Sequence, residues 1–335
     1  MRALLLTGPQ TASVEEIETP EPGAGQIRVK VAYAGVCISD ATYFRNGGNG
    51  PFKVKEPLSL GHENSAVVDL DPEGEYAQGT PCAVRPAVFG TPKEGQEGWA
   101  PHLVPGMTYL GSASTDPHTQ GGTREYLIVN RDQVVPLVEG TPLKRAALAE
   151  PTTIALHCIG LAGGVEGKKV LVNGSGPIGM VAIITAKAKG AASVAAADPV
   201  PEALERAKGV GADETYLVGV DKVPTSAFDV VIDCIGVQDA INTDVDAARP
   251  GGFVGVIGMS GTPDTAVPLG PLQNKEVRIT GNFRLNDEMP EAVQLLAAHP
   301  EYDQVYTHEF DLDHAADAFL LEADPVASAK CVIRL

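Results

Sequence analysis

The first half of the chain consists of short apolar runs broken by Gly and Pro, a pattern typical of β-strands bounded by turns. Residues 1–145 contain the runs RALLL, QIRVKVAYAG, SAVVDLD and REYLIV. Residues 85–120 show no sustained hydrophobic period and read as loop. We therefore predict an irregular, mostly antiparallel, β-rich half.

From about residue 167 the apolar runs alternate with helical stretches. This part begins KKVLVNGSGPIGMVAIITAKAKGAASVAAAD and continues with ALERAKGVGAD, FDVVIDCIG, AINTDVDAARPGG and FVGVIGMSG. Alternation of strand and helix predicts βαβ units and a doubly wound parallel sheet. The expected fold class is therefore α/β.

The tail of the chain changes pattern again after residue 286. Two amphipathic helical segments, DEMPEAVQLLAAHP and DLDHAADAFLLEADP, precede a short apolar strand, AKCVIRL. A tail of this kind can pack back on the β-rich half. We therefore predict two domains, one formed by residues 1–148 and 287–335 and the other by residues 149–286.

Charge and hydropathy narrow the classes of function. The 335 residues include 43 acidic and 25 basic side chains, a formal net charge of −18, which disfavours nucleic acids and anionic membranes as partners. The N-terminal MRALLLTGPQ has a three-leucine run that is too short for the apolar region of a signal peptide, and no apolar stretch approaches the ~18 residues of a membrane helix. We expect a cytoplasmic protein that acts on a small molecule.

The cysteines argue against a local metal knuckle. The five cysteines form no C-x-x-C pair, and their odd number argues against a disulfide framework. Any metal site must therefore combine side chains from distant segments.

The run VLVNGSGPIGMVAII places Gly174, Gly176 and Gly179 as G-x-G-x-x-G between a predicted strand and a predicted helix. In such a motif the first glycine permits the turn, the second lets a pyrophosphate approach the backbone, and the third lets helix and strand pack closely. The phosphates then lie at a helix N-terminus. We predict a dinucleotide site that also includes Pro177 and Ile178.

A second strand, SVAAAD, ends in Asp198, nineteen residues after Gly179, where an acid accepts hydrogen bonds from an adenosine ribose. A carboxylate there would repel a 2′-phosphate, and no basic residue follows immediately in DPVPEALER. NAD is therefore favoured over NADP. Arg206, eight residues further on, keeps NADP compatible with the sequence.

Cys37 and His62 each lie close to a turn-forming glycine, and Glu63 adjoins His62. A thiolate, an imidazole and a carboxylate suit a catalytic zinc, which typically takes three protein ligands and a water. Glu150, in LAEPTTIALH, offers a second carboxylate. Taken singly, each residue is compatible with a structural role, because lone cysteines are often buried as small hydrophobic side chains.

The segments GVCISD, GHE, AEP, VLVNGSGPIG and GGFVGVIG occur in this order across nearly the whole chain. Together they resemble the zinc-dependent medium-chain dehydrogenase family, in particular its polyol branch, the sorbitol dehydrogenases. GSAS, PHTQGG and GNFRL add a similarity to L-idonate 5-dehydrogenases. The resemblance implies a GroES-like β-rich catalytic domain, a Rossmann domain, and zinc-dependent, NAD-linked oxidation of a secondary alcohol of a sugar acid or polyol.

The resemblance also assigns roles to single residues. In the polyol branch, the residues matching Cys37, His62 and Glu63 hold the zinc, and the carboxylate matching Glu150 holds a water at the fourth position. We leave open whether Glu63 or Glu150 is the third direct ligand. Ser39 would receive the proton of the substrate hydroxyl, and its alternative role is turn capping.

Tyr43 and Arg284 match polyol-branch positions that line the pocket and hydrogen-bond to hydroxyls; both are also compatible with surface or interface roles. The guanidinium of Arg284 would suit the carboxylate of a sugar acid. His118, in a polar loop, is interpreted as structural. Further cofactor contacts are expected at Ile257, Asn282 and Phe283.

The chain departs from the family pattern at two places that matter for chemistry. Residues 83–120 contain no cysteine, so we expect one catalytic zinc and no structural zinc. Thr42 stands where the family often has a histidine that ends a proton relay, and a threonine cannot store a proton near neutral pH. The resemblance also implies a homodimer or homotetramer.

Three alternatives stay open. The nearest is a dehydrogenase of sorbitol, xylitol or threonine. A zinc-free quinone or enoyl reductase on the same fold would bind no metal, and the Cys, His and Glu set argues against it. A non-catalytic nucleotide-binding protein would bind NAD without turnover.

Overall fold

The computed structural model describes residues 1–259 and 264–335, and the last two letters of the run FVGVIGMSG lie outside these ranges. The strands are β1 (Arg2–Gly8), β2 (Thr11–Glu16), β3 (Gln26–Gly35), β4 (Gly48–Asn49), β5 (Phe52–Lys53), β6 (Glu63–Leu70), β7 (Pro81–Val84), β8 (Ala87–Val88), β9 (Thr108–Tyr109), β10 (Tyr126–Asn130), β11 (Val134–Pro136), β12 (Lys169–Asn173), β13 (Ser193–Asp198), β14 (Glu214–Leu217), β15 (Phe228–Asp233), β16 (Ala248–Val256), β17 (Arg278–Gly281), β18 (Tyr306–Asp311) and β19 (Lys330–Arg334). The helices are α1 (Ile38–Asn46), α2 (Leu143–Ala146), α3 (Ala149–Leu161), α4 (Pro177–Ala188), α5 (Pro201–Gly209), α6 (Gln238–Ala247), α7 (Leu269–Lys275), α8 (Met289–Ala298) and α9 (Ala315–Leu321). None of the helices described is both long and apolar enough to cross a membrane.

The chain forms two compact units, which we describe separately. Unit 1 comprises Met1–Glu150 and Leu285–Leu335, and unit 2 comprises Pro151–Arg284.

The main sheet of unit 1 is built around β3. In the order β11-β7-β6-β3-β19-β18, β3 has β6 on one side and β19 on the other, and β10 also pairs with it. Every second side chain along the first half of β3 is buried, as a strand with one face on a core requires: Ile27, Val29 and Val31. These residues join Val68 and Leu127 in one of the hydrophobic clusters of the unit.

The C-terminal tail belongs to this sheet. The apolar run predicted as a strand is β19, and it pairs antiparallel with β3. A strand that the pattern did not predict, β18, pairs parallel with β19. Its residues YTHEFD alternate between partly exposed and exposed positions, as suits a strand at the edge of the sheet, and therefore give no apolar signal.

Unit 2 contains the predicted parallel sheet. Its order is β14-β13-β12-β15-β16-β17, and each neighbouring pair is parallel. Numbered within the unit, this is the 3-2-1-4-5-6 order of a Rossmann fold. Strands β12, β13 and β15 are buried almost throughout, as strands covered on both faces must be. The predicted fold class is confirmed.

Two glycines, one in the turn after β12 and one in the first turn of α4, are required by the packing. Gly174 has φ +97°, and a Cβ there would lie 2.7 Å from Cγ1 of Ile235. A Cβ on Gly179 would lie 1.9 Å from the carbonyl oxygen of Gly174. Gly176 is different, because a Cβ there would have no neighbour within 4 Å among the described atoms. A side chain at the first glycine would therefore collide with the segment after β15, and a side chain at the third would collide with the turn itself.

These contacts predict different effects of adding a methyl group in this turn. Gly179→Ala should lower the free energy of unfolding by about 1–3 kcal/mol, because the helix or the turn must move. Gly176→Ala, a matched control at the N-cap of α4, should cost about 1 kcal/mol or less. Urea denaturation followed by circular dichroism measures both, and equal losses would contradict the packing argument.

Candidate metal and nucleotide sites

Three predicted ligands meet in unit 1. One donor atom each from Cys37, His62 and Glu63 lies within 4.8 Å of the other two. Cys37 is the N-cap residue of α1, two residues after the end of β3, while Glu63 begins β6 and His62 immediately precedes it. Since β3 and β6 are paired antiparallel, the end of one strand meets the beginning of the other. It is the only such group of three or more among the described residues.

Asp40 connects the two segments that carry the ligands. Its carboxylate accepts hydrogen bonds from the backbone N–H groups of Cys37, at 3.0 Å, and Gly61, at 3.2 Å. Oδ1 also lies 3.6 Å from Nδ1 of His62. Burial acts to raise the pKa of Asp40, but His62 and the two backbone donors lower it below its ordinary value. A carboxylate that orients a histidine in this way is common beside protein metal sites.

Glu63 is buried and its two oxygens have different surroundings. Oε1 lies 2.6 Å from Nζ of Lys330, whereas Oε2 has no hydrogen-bond partner among the described residues. A Cβ on Gly35 would lie 2.2 Å from Oε2, so a side chain at that position would displace the carboxylate. A buried carboxylate oxygen without a partner is costly, and coordination of a cation removes that cost.

The donor set fits zinc. A thiolate, an imidazole and a carboxylate are all zinc ligands, and the carboxylate in the group of three belongs to Glu63, which has one oxygen without a hydrogen-bond partner among the described residues. Calcium and magnesium prefer oxygen ligands alone, so the cysteine argues against them.

Glu150 lies outside the group of three but close to it. It is buried, and its Oε1 accepts a hydrogen bond of 2.6 Å from the hydroxyl of Tyr109. The ring of Tyr109 in turn lies 5.6 Å from that of His62. Burial raises the pKa of Glu150, with His62 opposing the effect and Glu63 adding to it.

The three other predicted residues of the α1 region have distinct surroundings. Ser39 is partly buried in the first turn of α1, and its hydroxyl has no hydrogen bond to another described residue. Thr42 donates to the carbonyl of Ile38 at 2.8 Å. Tyr43 is buried, and its hydroxyl accepts from the backbone N–H of Ala113 at 3.2 Å, which leaves its own hydrogen free to donate.

His118, predicted to be structural, lies in a local hydrogen-bond network of unit 1. Its Nε2 accepts from the backbone N–H of Lys55 at 2.9 Å, and its Nδ1 lies 3.0 Å from the carbonyl of Thr115. Both ring nitrogens are therefore engaged by backbone groups.

The predicted nucleotide site in unit 2 is formed at the carboxyl edge of the parallel sheet. Gly174 follows β12 directly, and Gly176 is the N-cap residue of α4. Asp198 ends β13, where its carboxylate accepts hydrogen bonds from the backbone N–H groups of Ser175, at 2.7 Å, and Val200, at 2.8 Å. Asp198 therefore fixes the position of the glycine-rich turn through a hydrogen bond to its backbone.

The remaining predicted cofactor residues follow β16 and β17 at the same edge. The backbone N–H of Ile257 donates to the carbonyl of Asp233, and that of Asn282 donates to the carbonyl of Val256. Ligands of open parallel sheets bind beyond this edge.

Phe283 and Arg284 end unit 2 and lie next to each other in space. Phe283 is exposed, and the guanidinium of Arg284 lies 5.1 Å from the centre of its ring. Arg284 has φ +58°, a left-handed conformation that is uncommon for a residue other than glycine.

Sequence comparison decides the family. The sequence model of a family described as "Alcohol dehydrogenase GroES-like domain" matches residues 23–139, and one described as "Zinc-binding dehydrogenase" matches residues 177–298. The chain is 32% identical over 333 residues to sorbitol dehydrogenase of Bos taurus, which covers 95% of this chain and 91% of that protein. The chain belongs to the zinc-dependent medium-chain dehydrogenases.

Two further comparisons support the polyol branch of this family. L-idonate 5-dehydrogenase (NAD(P)(+)) of Escherichia coli (strain K12) is 32% identical over 305 residues, which cover 88% of this chain and 87% of that protein. The crystal structure of L-idonate 5-dehydrogenase from Escherichia coli K-12 has a TM-score of 0.93 at 28% identity and covers 100% of this chain and 98% of that one. The predicted family and branch are confirmed, and this medium-chain dehydrogenase is an oxidoreductase.

Sequence reasoning missed three residues around the metal cluster of this dehydrogenase: Asp40, Tyr109 and Lys330. Asp40 belongs to the quoted segment GVCISD, three residues after Cys37, where a side chain can reach back to the N-cap. Lys330 is the one charged residue within the apolar run KCVI of β19, and a buried lysine in such a strand signals a partner. Tyr109 gave no comparable signal.

Unit 2 of this dehydrogenase also contains two buried aspartates, Asp233 and Asp244, beside the end of β12 that leads into the glycine turn. Asp244 accepts a hydrogen bond of 2.8 Å from Nδ2 of Asn173, the last residue of β12, and its Oδ2 has no partner among the described residues. Burial raises the pKa of Asp244 to about 8, the nearby Asp233 adds to the shift, and Asn173 opposes it.

This raised pKa predicts a pH-dependent stability. Because the pKa in the folded chain, about 8, exceeds the ordinary value of about 3.9, the contribution of Asp244 is fully present below pH ~4 and is lost as the pH rises towards 8. Relative to Asp244→Asn, wild-type stability should fall by up to about 1.4 kcal/mol per pH unit between pH ~5 and ~8.

Urea denaturation of both proteins across this pH range measures the difference. Asp239→Asn, an exposed change on the same helix, controls for the loss of an acidic side chain. A difference between wild type and Asp244→Asn that stays constant with pH would contradict the assignment.

Proposed function

We propose that this protein is a zinc-dependent dehydrogenase that oxidises a secondary alcohol of a sugar acid or polyol with NAD. The observation that carries the proposal is the convergence of Cys37, His62 and Glu63, one donor atom each within 4.8 Å of the others, in a chain of this family. When bound, zinc supplies Lewis-acid polarisation of the substrate hydroxyl, and NAD supplies the hydride acceptor.

We infer that Glu63, rather than Glu150, is the third direct ligand. Glu63 offers a donor atom within 4.8 Å of those of Cys37 and His62, whereas Glu150 is not part of this group, and Oε2 of Glu63 is buried without a partner among the described residues. The role that remains for Glu150 is to hold a water beside the metal, as the family resemblance implies.

Ser39 is the proposed first acceptor of the hydroxyl proton. It lies two residues after Cys37, and no described residue occupies its hydroxyl. The hydroxyl of Thr42 is engaged by the carbonyl of Ile38 and cannot hold a proton near neutral pH. Because the hydroxyl of Ser39 cannot store a proton either, in this proposal it releases its own proton to water as it takes that of the substrate.

The proposed preference for NAD depends on Asp198. Its carboxylate is fixed beside the glycine turn by two backbone N–H groups, where it would repel a 2′-phosphate. The name of the Escherichia coli relative includes both NAD and NADP. The positively charged Arg206 interacts electrostatically with Asp198. NADP is therefore the second candidate cofactor.

Arg284 favours a sugar acid over a neutral polyol as substrate. A guanidinium matches the planar geometry of a carboxylate, and the left-handed backbone at Arg284 is the kind of local cost that proteins often carry at functional residues. Tyr43 would contact a hydroxyl through its free hydrogen. The similarity to sorbitol dehydrogenase makes a neutral polyol the second candidate.

Assembly as a homodimer or homotetramer, a cytoplasmic location and the lack of a structural zinc stay predictions from the sequence.

The metal proposal predicts about one zinc per wild-type chain. Cys37→Ser should lower both zinc content and turnover, with turnover falling about 100-fold or more, because a ligand is lost. Cys82→Ala removes a buried cysteine on β7, outside the cluster, and should leave the zinc content unchanged. Wild-type protein without zinc, or a Cys37→Ser variant with full turnover, would refute the metal site and favour a zinc-free reductase.

The substrate proposal predicts faster NAD reduction with aldonates than with sorbitol or xylitol. Arg284→Met should raise KM for the aldonate by about 10- to 100-fold, the cost of a lost charge-assisted hydrogen bond, and change the KM for polyols much less. Arg278→Met, an exposed change on β17, is the matched control.

Steady-state kinetics with both nucleotides completes this test. Equal losses for aldonates and polyols would argue against a carboxylate at Arg284. A strong preference for NADP would contradict the role of Asp198, and binding of NAD without turnover of any substrate would favour a non-catalytic protein.

A further inference from the structure

A lysine from the C-terminal strand is buried against the proposed metal ligands. The side chain of Lys330 is 3% exposed, and its Nζ lies 2.6 Å from Oε1 of Glu63. The same Nζ donates to the carbonyl of Val36 at 2.5 Å. Its other carboxylate neighbour, Oε1 of Glu322, lies farther away at 3.8 Å. Lys330 therefore binds Glu63 more closely than it binds Glu322.

The two close contacts connect segments that are distant in sequence. Val36 immediately precedes Cys37, and Glu63 follows His62, so one ammonium group touches both segments that carry the ligands. Strand β19 brings it there, because Val332 pairs with Gly35 in the main sheet. The position of Lys330 relative to Cys37 and Glu63 is thus set by backbone pairing.

The contact also distinguishes the two oxygens of Glu63. Lys330 occupies Oε1, while Oε2 has no partner among the described residues and belongs to the side chain that groups with Cys37 and His62. A carboxylate held by one oxygen can turn only about that contact. Without the ammonium group, Glu63 would be free to bind a cation through both oxygens or to turn away.

We propose that Lys330 is a positioning residue of the metal site: its ammonium group, itself fixed by the carbonyl of Val36, holds Oε1 of Glu63 and so presents Oε2 of Glu63 for binding zinc. This inference rests on the proposed function, which supplies the metal. It goes further by assigning to the C-terminal strand a share in zinc affinity, through a residue that does not itself touch the metal.

The test compares zinc dissociation constants, measured by chelator competition with the full chain. Lys330→Met should weaken zinc binding by about 10- to 100-fold, the usual effect of losing a residue that orients a ligand. Lys330→Arg keeps the charge and donors and should recover most of that loss. Lys144→Met, which removes a partly exposed lysine paired with Glu309, is the control and should bind zinc as wild type does.

A double-variant comparison separates positioning from a general effect on stability. If Lys330 acts through Glu63, then Glu63→Gln and Glu63→Gln/Lys330→Met should bind zinc equally, within about threefold. Comparison of Glu63→Gln with the double variant still tests the proposal if Lys330→Met alone does not fold, because the double variant leaves no unpaired carboxylate at position 63. A further tenfold loss in the double variant would overturn the proposal.

Substitution of cobalt for zinc gives a readout that does not depend on activity. The ligand-field absorption of the cobalt protein should shift in Lys330→Met and return in Lys330→Arg, because it reports the ligand arrangement. An unchanged zinc constant and an unchanged cobalt spectrum in folded Lys330→Met would refute the role of Lys330. Wild-type protein that binds no zinc would instead refute the proposed function.

Discussion

The pairing of β3 with two neighbours at once is the constraint on which the metal site depends. Gly35, at the end of β3, faces Glu63 on β6 and Val332 on β19. Cys37 follows two residues later, and Lys330 begins β19. A shift of either neighbour by one residue would turn its alternate side chains to the opposite face and separate the ligands. The buried side chains of β6 and β19 oppose such shifts, because a shift would move them out of the core.

Burial of charge is the main energetic problem of this site. Desolvation of an isolated buried carboxylate costs several kcal/mol, and here partners from other segments of the chain offset that cost. Asp40 is held by two backbone N–H groups and lies beside His62, and Glu63 is paired with Lys330. Oε2 of Glu63 stays without a partner among the described residues, and a bound cation would complete this compensation.

Unit 2 meets a steric requirement rather than an electrostatic one. Ile235 leaves no room for a side chain at Gly174, and the carbonyl of Gly174 leaves none at Gly179, whereas Gly176 faces open space that a phosphate can approach. Asp198 supports the same turn through two backbone hydrogen bonds and thus combines a structural role with its proposed role toward ribose. The buried Asp244 supports the turn from behind through Asn173.

Local pattern was sufficient for much of this protein. Period-two and continuous apolar runs identified the β-rich half and the parallel sheet, and motif spacing placed the glycine turn, Asp198 and the candidate ligands, since these depend on neighbours in sequence. Strand β18 gave no signal because an edge strand needs no buried face. Lys330 could not be connected to Glu63 beforehand, because they are 267 residues apart and meet only through β3. The distinction between Glu63 and Glu150 likewise required the three-dimensional positions of their oxygens. Sequence alone thus determined most of the elements and the chemical types of the predicted site residues, and tertiary pairing decided which of them meet.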